Sequence, residues 1–232
     1  MRDIMKVFGM FLLLGLWVSA CSSFPPIRSL DTGPKSRLAA RMCQNSFPEK
    51  PFRAVHTIEA TMPMGNSSSM MGASQVNPEA RSLRAVLVSV EGLTLFDATS
   101  VKGVMEVHRA VAPFDDPDFA RGLMSDVSLV FMAPDGKLHV GIGDDGRLVC
   151  RYKDTDGGVV DLLPTAADSK PRELLVYDKD ADLVRIVDFF DESGPMGLAK
   201  KVVLSAPGLV GYELVMKLVG AEKAAPVTHV AK

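Results

Sequence analysis

Residues able to do chemistry are scattered along this chain, and their spacing decides what each can do. Gly141-Ile142-Gly143-Asp144-Asp145-Gly146 matches Gly-x-Gly-x-x-Gly, a pattern whose glycines bring backbone close to a pyrophosphate at a helix N-terminus. The run that follows, RLVCRYK, reads as a strand, and Asp144 and Asp145 would repel phosphate, so the segment reads as a hairpin turn. Asp154-Thr155-Asp156-Gly157 begins like a calcium loop, yet its twelfth position is Thr165 where a bidentate Glu is required. His56, His108, His139 and His229 are far apart, with no HExxH and no CxxC to make a metal site. GNSSS at 65–69 lacks the second glycine of a nucleophile elbow. No metal, no cofactor and no enzymatic activity are expected. The most unusual stretch is TMPMGNSSSMMGASQVNP at 61–78, expected as a loop in which Met62, Met64, Met70 and Met71 flank a Gly/Ser centre. Three readings are open for it: methionines resting on the rim of the fold, adaptable contact with a greasy partner, or thioether binding of Cu(I).

Cys21 has a sharper context. Arg2 and Lys6 precede an apolar run from Val7 to Val18, too short to cross a hydrocarbon core of ~30 Å as a helix. It reads as the core of a signal peptide spanning 1–20. Val18-Ser19-Ala20-Cys21 resembles the bacterial lipobox, whose cysteine receives a diacylglyceryl thioether before cleavage makes it the first residue. The competing readings are an ordinary signal peptide with an incidental cysteine and a buried N-terminal helix. Several acyl chains such as palmitate on one cysteine hold stably, because each buried methylene contributes about 0.8 kcal/mol. Ser22 stands where an Asp would signal retention at the inner membrane, so the lipobox resemblance implies the outer membrane, facing the periplasm.

Composition limits the partners. Removing Arg2, Lys6 and Asp3 from 26 basic and 28 acidic residues leaves 24 and 27, a net charge of −3. Nothing here favours nucleic acid, and no Lys/Arg-rich run appears that would suggest an anionic membrane surface or a polyanion as partner. Cys43 and Cys150 form an even pair after Cys21, suited to a disulfide in an oxidising compartment or to two separate buried thiols.

Several elements must position these residues. The Ser/Pro/Gly-rich 21–34 reads as a lipidated tether, and 35–43 as a short helix with Leu38 and Met42 on one face. Strands are expected at 52–62, 83–90, 92–99, 101–108, 173–178, 182–190, 199–205 and 209–219. Asp-Gly pairs at 135–136, 145–146 and 156–157 punctuate the runs KLHVGI, RLVCRYK and VVDLL as a meander of hairpins. Asp116 as N-cap and Pro117 at the first helical position open a helix with Phe119, Leu123, Val127 and Phe131 at every fourth residue. Residues 35–220 are expected as a single domain and 221–232 as a flexible tail.

This order of lipobox, tether, short helix, strands, apolar helix and meander resembles the fold of the LolA/LolB carriers of the lipoprotein localisation pathway and of related bacterial lipoproteins. SLRAVLVSVEGLTLFDAT, GLMSDVSLVFMAP and AKKVVLSAPGLVGYELVMKLV carry the resemblance best. It implies an α+β, mainly β fold: a curved antiparallel half-barrel closed by helices around an apolar cavity. Phe119, Leu123, Val127 and Phe131 would line that cavity, with the methionine-rich segment as an exposed apolar loop. The implied function is a membrane-anchored binder of lipid or lipoprotein acyl chains, in a carrier or receptor role. The alternative is a structural or assembly lipoprotein that holds other envelope proteins without an internal ligand.

Overall fold

The computed structural model describes residues 23–30, 33–165, 171–208 and 211–224. The expected signal peptide at 1–20, Cys21, His229 and most of the expected tail lie outside the described residues. A short β1 (Arg28–Ser29) and helix α1 (Pro34–Gln44) lead into β2 (Phe52–Thr61), β3 (Ser67–Asn77), β4 (Ser82–Ser89), β5 (Thr94–Val101) and β6 (Val104–Ala110). Helix α2 (Pro117–Phe131) follows, and then β7 (Lys137–Ile142), β8 (Leu148–Lys153), β9 (Val159–Leu163), β10 (Arg172–Tyr177), β11 (Leu183–Phe190), β12 (Lys201–Ala206) and β13 (Tyr212–Lys223). All thirteen strands form one open, curved antiparallel sheet in the order β1-β7-β8-β9-β10-β11-β12-β13-β2-β3-β4-β5-β6. Both helices lie on its inner face, so the molecule is an α+β half-barrel.

Strand alternation sets which side is inside. Along β2, Phe52, Ala54, His56, Ile58 and Ala60 are buried while Arg53, Thr57, Glu59 and Thr61 are exposed, the period of two that turns one face of a pleated strand inward. Gly146 and Gly157 take positive φ of 81° and 91° in the turns joining β7 to β8 and β8 to β9, where a side chain at Cβ would be strained. Asp135-Gly136 instead connects α2 to β7.

Three features depart from the sequence reading. The described part of the expected tether is held on the body, because β1 pairs with β7, the Pro25 carbonyl accepts from Arg151 and the Phe24 ring packs edge-on against Tyr177. Most of the expected loop at 61–78 is strand β3, paired along its length with β2 and β4. Ser, Gly and Met have modest strand propensity, and at Gly72 the small residue has a local fit, since a Cβ there would lie 2.6 Å from Cδ1 of Ile58 and shift that side chain. The domain also continues past 220, because Ala221, Glu222 and Lys223 pair with Ala54, Arg53 and Phe52.

Candidate functional site

Helix α2 crosses the inner face, and its start is built as expected. The Asp116 carboxylate accepts hydrogen bonds from the backbone N–H groups of Asp118 and Phe119, both at 2.9 Å, and Pro117 occupies the first turn. Its buried residues, however, are Ala120, Met124, Asp126, Val130 and Phe131. Of the expected stripe, Phe131 is buried at 2% exposure, Leu123 and Val127 are half-buried against the core, and Phe119 is 37% exposed. The reason is geometric. A ladder at every fourth residue turns by about 40° per step on a helix of 3.6 residues per turn, so Phe119 and Phe131 point about 120° apart.

The space beneath the helix is filled by side chains. Phe131 makes an edge contact with Phe52 at 5.8 Å between ring centroids and a tilted contact with His56 at 5.5 Å. Phe52, Leu162, Leu174 and Val187 are all at 0% exposure in the same core. A cavity of about 640 Å³ lies elsewhere, on the outer face of β13, β2, β3 and β4, where Val55, Ala73 and Val86 form a row beside Gly220. A second, of about 200 Å³, sits beside the C-terminal half of α2, between Ser128, Met132, Tyr152 and Val160.

Three polar groups lie in this interior, of which the sequence singled out only His56, as a candidate metal ligand without partners. Asp126, on α2, accepts from Nε of Arg185 at 2.9 Å and from the hydroxyl of Tyr212, which ties the helix to β11 and β13. Burial pushes the Asp126 carboxyl above its usual range against these two partners, and burial with the Asp126 contact pushes the Tyr212 hydroxyl up. His56 is 1% exposed, and neither ring nitrogen has a hydrogen-bond partner among the described residues. Burial lowers its pKa to about 4. Arg172, also buried, stacks 3.7 Å over the Phe189 ring and donates to the Ser46 carbonyl, holding the turn after α1 against β10 and β11. A local clue was a charged residue at an inward helix position, Asp126. His56 carried a similar sign, at an inward position of the β2 alternation, and Arg172 carried none.

Where α2 begins, apolar side chains reach the surface. Phe119 packs edge-on against Phe114 at 5.5 Å, and Phe114 lies 6.1 Å from the buried Phe96, making a ladder of rings from solvent to core. Val111, 38% exposed, donates its N–H to the Leu95 carbonyl beside this ladder. Val90 and Leu93, 71% and 63% exposed, sit in the adjoining turn between β4 and β5. These residues form an apolar rim.

The methionines do not form one apolar loop. Met62 lies in the turn between β2 and β3, as does Met64, whose side chain is outside the description. Met70 turns inward from β3 onto the core, and Met71 turns outward at 42% exposure. Successive residues of a strand face opposite sides, which separates the pair. Cys43 of α1 is bonded to Cys150 of β8, with an S–S distance of 2.01 Å and Cα atoms 5.7 Å apart. Held this way, α1 buries Ala39 and Cys43 and leaves the face of Leu38 and Met42 in solvent. Among the described residues, no group of three His, Cys, Asp or Glu side chains is placed to hold a metal ion, and no described helix is long and apolar enough to cross a membrane.

No family model matches the chain, and no curated protein sequence matches it. Its fold is similar to that of several solved structures. A LolA superfamily protein from Nitrosomonas europaea is 12% identical, with 81% of this chain and 94% of that one covered and a TM-score of 0.47. A putative outer membrane lipoprotein-sorting protein domain from Vibrio parahaemolyticus is 11% identical over 83% and 93%, also with a TM-score of 0.47. A DUF1329 family protein from Desulfovibrio piger is 13% identical over 83% and 92%, with a TM-score of 0.44.

Proposed function

We propose that the protein is a lipid-anchored, non-enzymatic envelope protein that binds an acyl chain of a lipid or lipoprotein at the mouth of the half-barrel, as a carrier or receptor. The supporting observation is the apolar rim of Val90, Leu93, Val111 and Phe119 with its Phe119-Phe114-Phe96 ladder into the core. Exposed apolar surface gathered at one opening favours a greasy ligand, since transfer of each buried methylene from water contributes about 0.8 kcal/mol. Release would follow when a bilayer offers the chain an equally apolar environment. Lipidation of Cys21 and an outer-membrane location facing the periplasm belong to the same reading, as expected from the sequence.

A fluorescent fatty-acid probe titrated into the Cys21→Ser protein tests it. Saturable binding at low micromolar probe is the expected result, and Phe119→Glu, at an exposed position, should weaken it without lowering the melting temperature. Absence of saturable binding would move the assignment to the second reading, a structural or assembly lipoprotein without an internal ligand. That reading is favoured by the filled core under α2, with Phe131, Phe52 and Leu174 all at 2% exposure or less.

A further inference from the structure

Helix α1 carries Lys35, Arg37 and Arg41 and has no acidic residue in its sequence PKSRLAARMCQ. At about 100° per residue, Leu38 and Met42 lie side by side on its outward arc, with Arg37 and Arg41 on one flank and Lys35 on the other. Leu38 is 62% exposed and Met42 43%, and all three cations are exposed. The inward side is pinned, because Ala39 and Cys43 are buried and Cys43 is bonded to Cys150. The outward face is therefore a fixed feature of the fold.

Arg37 and Arg41 differ from most of the described arginines. Eight other arginines lie within 4.0 Å of a carboxylate. The side chains of Lys35, Arg37 and Arg41 have no partner among the described residues, so their full charge faces solvent. An apolar stripe flanked by unpaired cations suits the boundary of an anionic bilayer: Leu and Met enter the acyl region, and the long basic side chains reach back to the phosphates.

We infer that the outward face of α1 docks on a membrane surface containing anionic phospholipid. The side chains that make the surface do not depend on the anchor. Its proximity to a bilayer rests on the Cys21 attachment proposed above, two residues before the segment 23–30, which is held on the body where β1 pairs with β7 and the Pro25 carbonyl accepts from Arg151; α1 packs on the same strand β7. Such a contact would add a second point of attachment and fix the orientation of the half-barrel on the membrane.

The test places an indole on this face of the full chain by Met42→Trp, with Trp17→Phe removing the single native tryptophan. Emission is read in vesicles of phosphatidylcholine with and without phosphatidylglycerol, in the Cys21 protein and in a chain that begins at Ser22, because Cys21→Ser would also block cleavage and leave the apolar 7–18 run as a second anchor. The expected result is a blue shift in the anionic vesicles only, reduced by high salt and lost on Arg37→Glu with Arg41→Glu. A shift that persists in the chain from Ser22 shows the face acting without the anchor; one seen only with Cys21 still supports docking, as anchor-dependent. Unshifted emission in both proteins overturns the inference and leaves the acyl-chain reading untouched. An equal shift for an indole at Val104→Trp, on the opposite edge strand β6, would mean adsorption of the whole protein and also overturns it. So would a shift that appears only when another envelope protein is added.

Discussion

Replacing His56 by leucine should make the protein more stable and remove a distinct part of its pH dependence. The imidazole is 1% exposed, packed against Phe131, and neither of its nitrogens has a partner among the described residues. A buried polar atom without a hydrogen bond costs about 1–3 kcal/mol, and leucine at this position adds apolar burial, so His56→Leu should gain about 1–3 kcal/mol at pH 7. Burial keeps the ring neutral by lowering its pKa from 6.5 to about 4. Because the unfolded chain then binds the proton more readily than the folded one, stability is complete above pH 6.5 and falls as the pH drops toward 4. From those two values, the wild type should lose about 2 kcal/mol between pH 7 and pH 5 through this residue alone. Urea denaturation of both proteins at the two pH values reads the effect as a difference of differences, in which the remaining histidines cancel. Parallel losses in wild type and variant would refute the assignment of a buried neutral histidine, and a less stable variant at pH 7 would show that the nitrogens are satisfied after all.

Asp126→Ala should destabilise the fold by about 3 kcal/mol, because it strands the Arg185 guanidinium and the Tyr212 hydroxyl in the interior. Adding Arg185→Met should restore much of the loss in the same denaturation assay. Cys43 and Cys150 are separated by 107 residues, so reducing their bond should cost about 4–5 kcal/mol in the chain-entropy model, seen as a lower urea midpoint with reductant. Fatty-acid analogue labelling in cells should mark the wild type and not Cys21→Ser, and equal labelling of both would remove the anchor from the reading.

Much of the architecture was legible because it is encoded locally. The inward-outward alternation of FRAVHTIEAT marks β2 and its buried face, the glycines at 146 and 157 mark tight turns, and Asp116-Pro117 marks the start of α2. Strand β3 was not legible. Its small side chains carry little strand preference of their own, and the strand is held by its pairing with β2 and β4.

The amino-acid order by itself determined where most strands and both helices lie, β3 excepted, since periodicity, caps and turn residues act within a few positions along the chain. Which way each helix faces was decided only by tertiary structure. Cys43 reaches Cys150 and turns Leu38 and Met42 outward, while Phe131 and Asp126 find partners on distant strands and turn Phe119 to the surface. Whether the space under α2 is empty or filled depends on residues far apart in sequence, such as Phe52, Phe131 and Leu174, meeting in one core. Close packing is a property of the assembled side chains from many strands, and no single segment contains it.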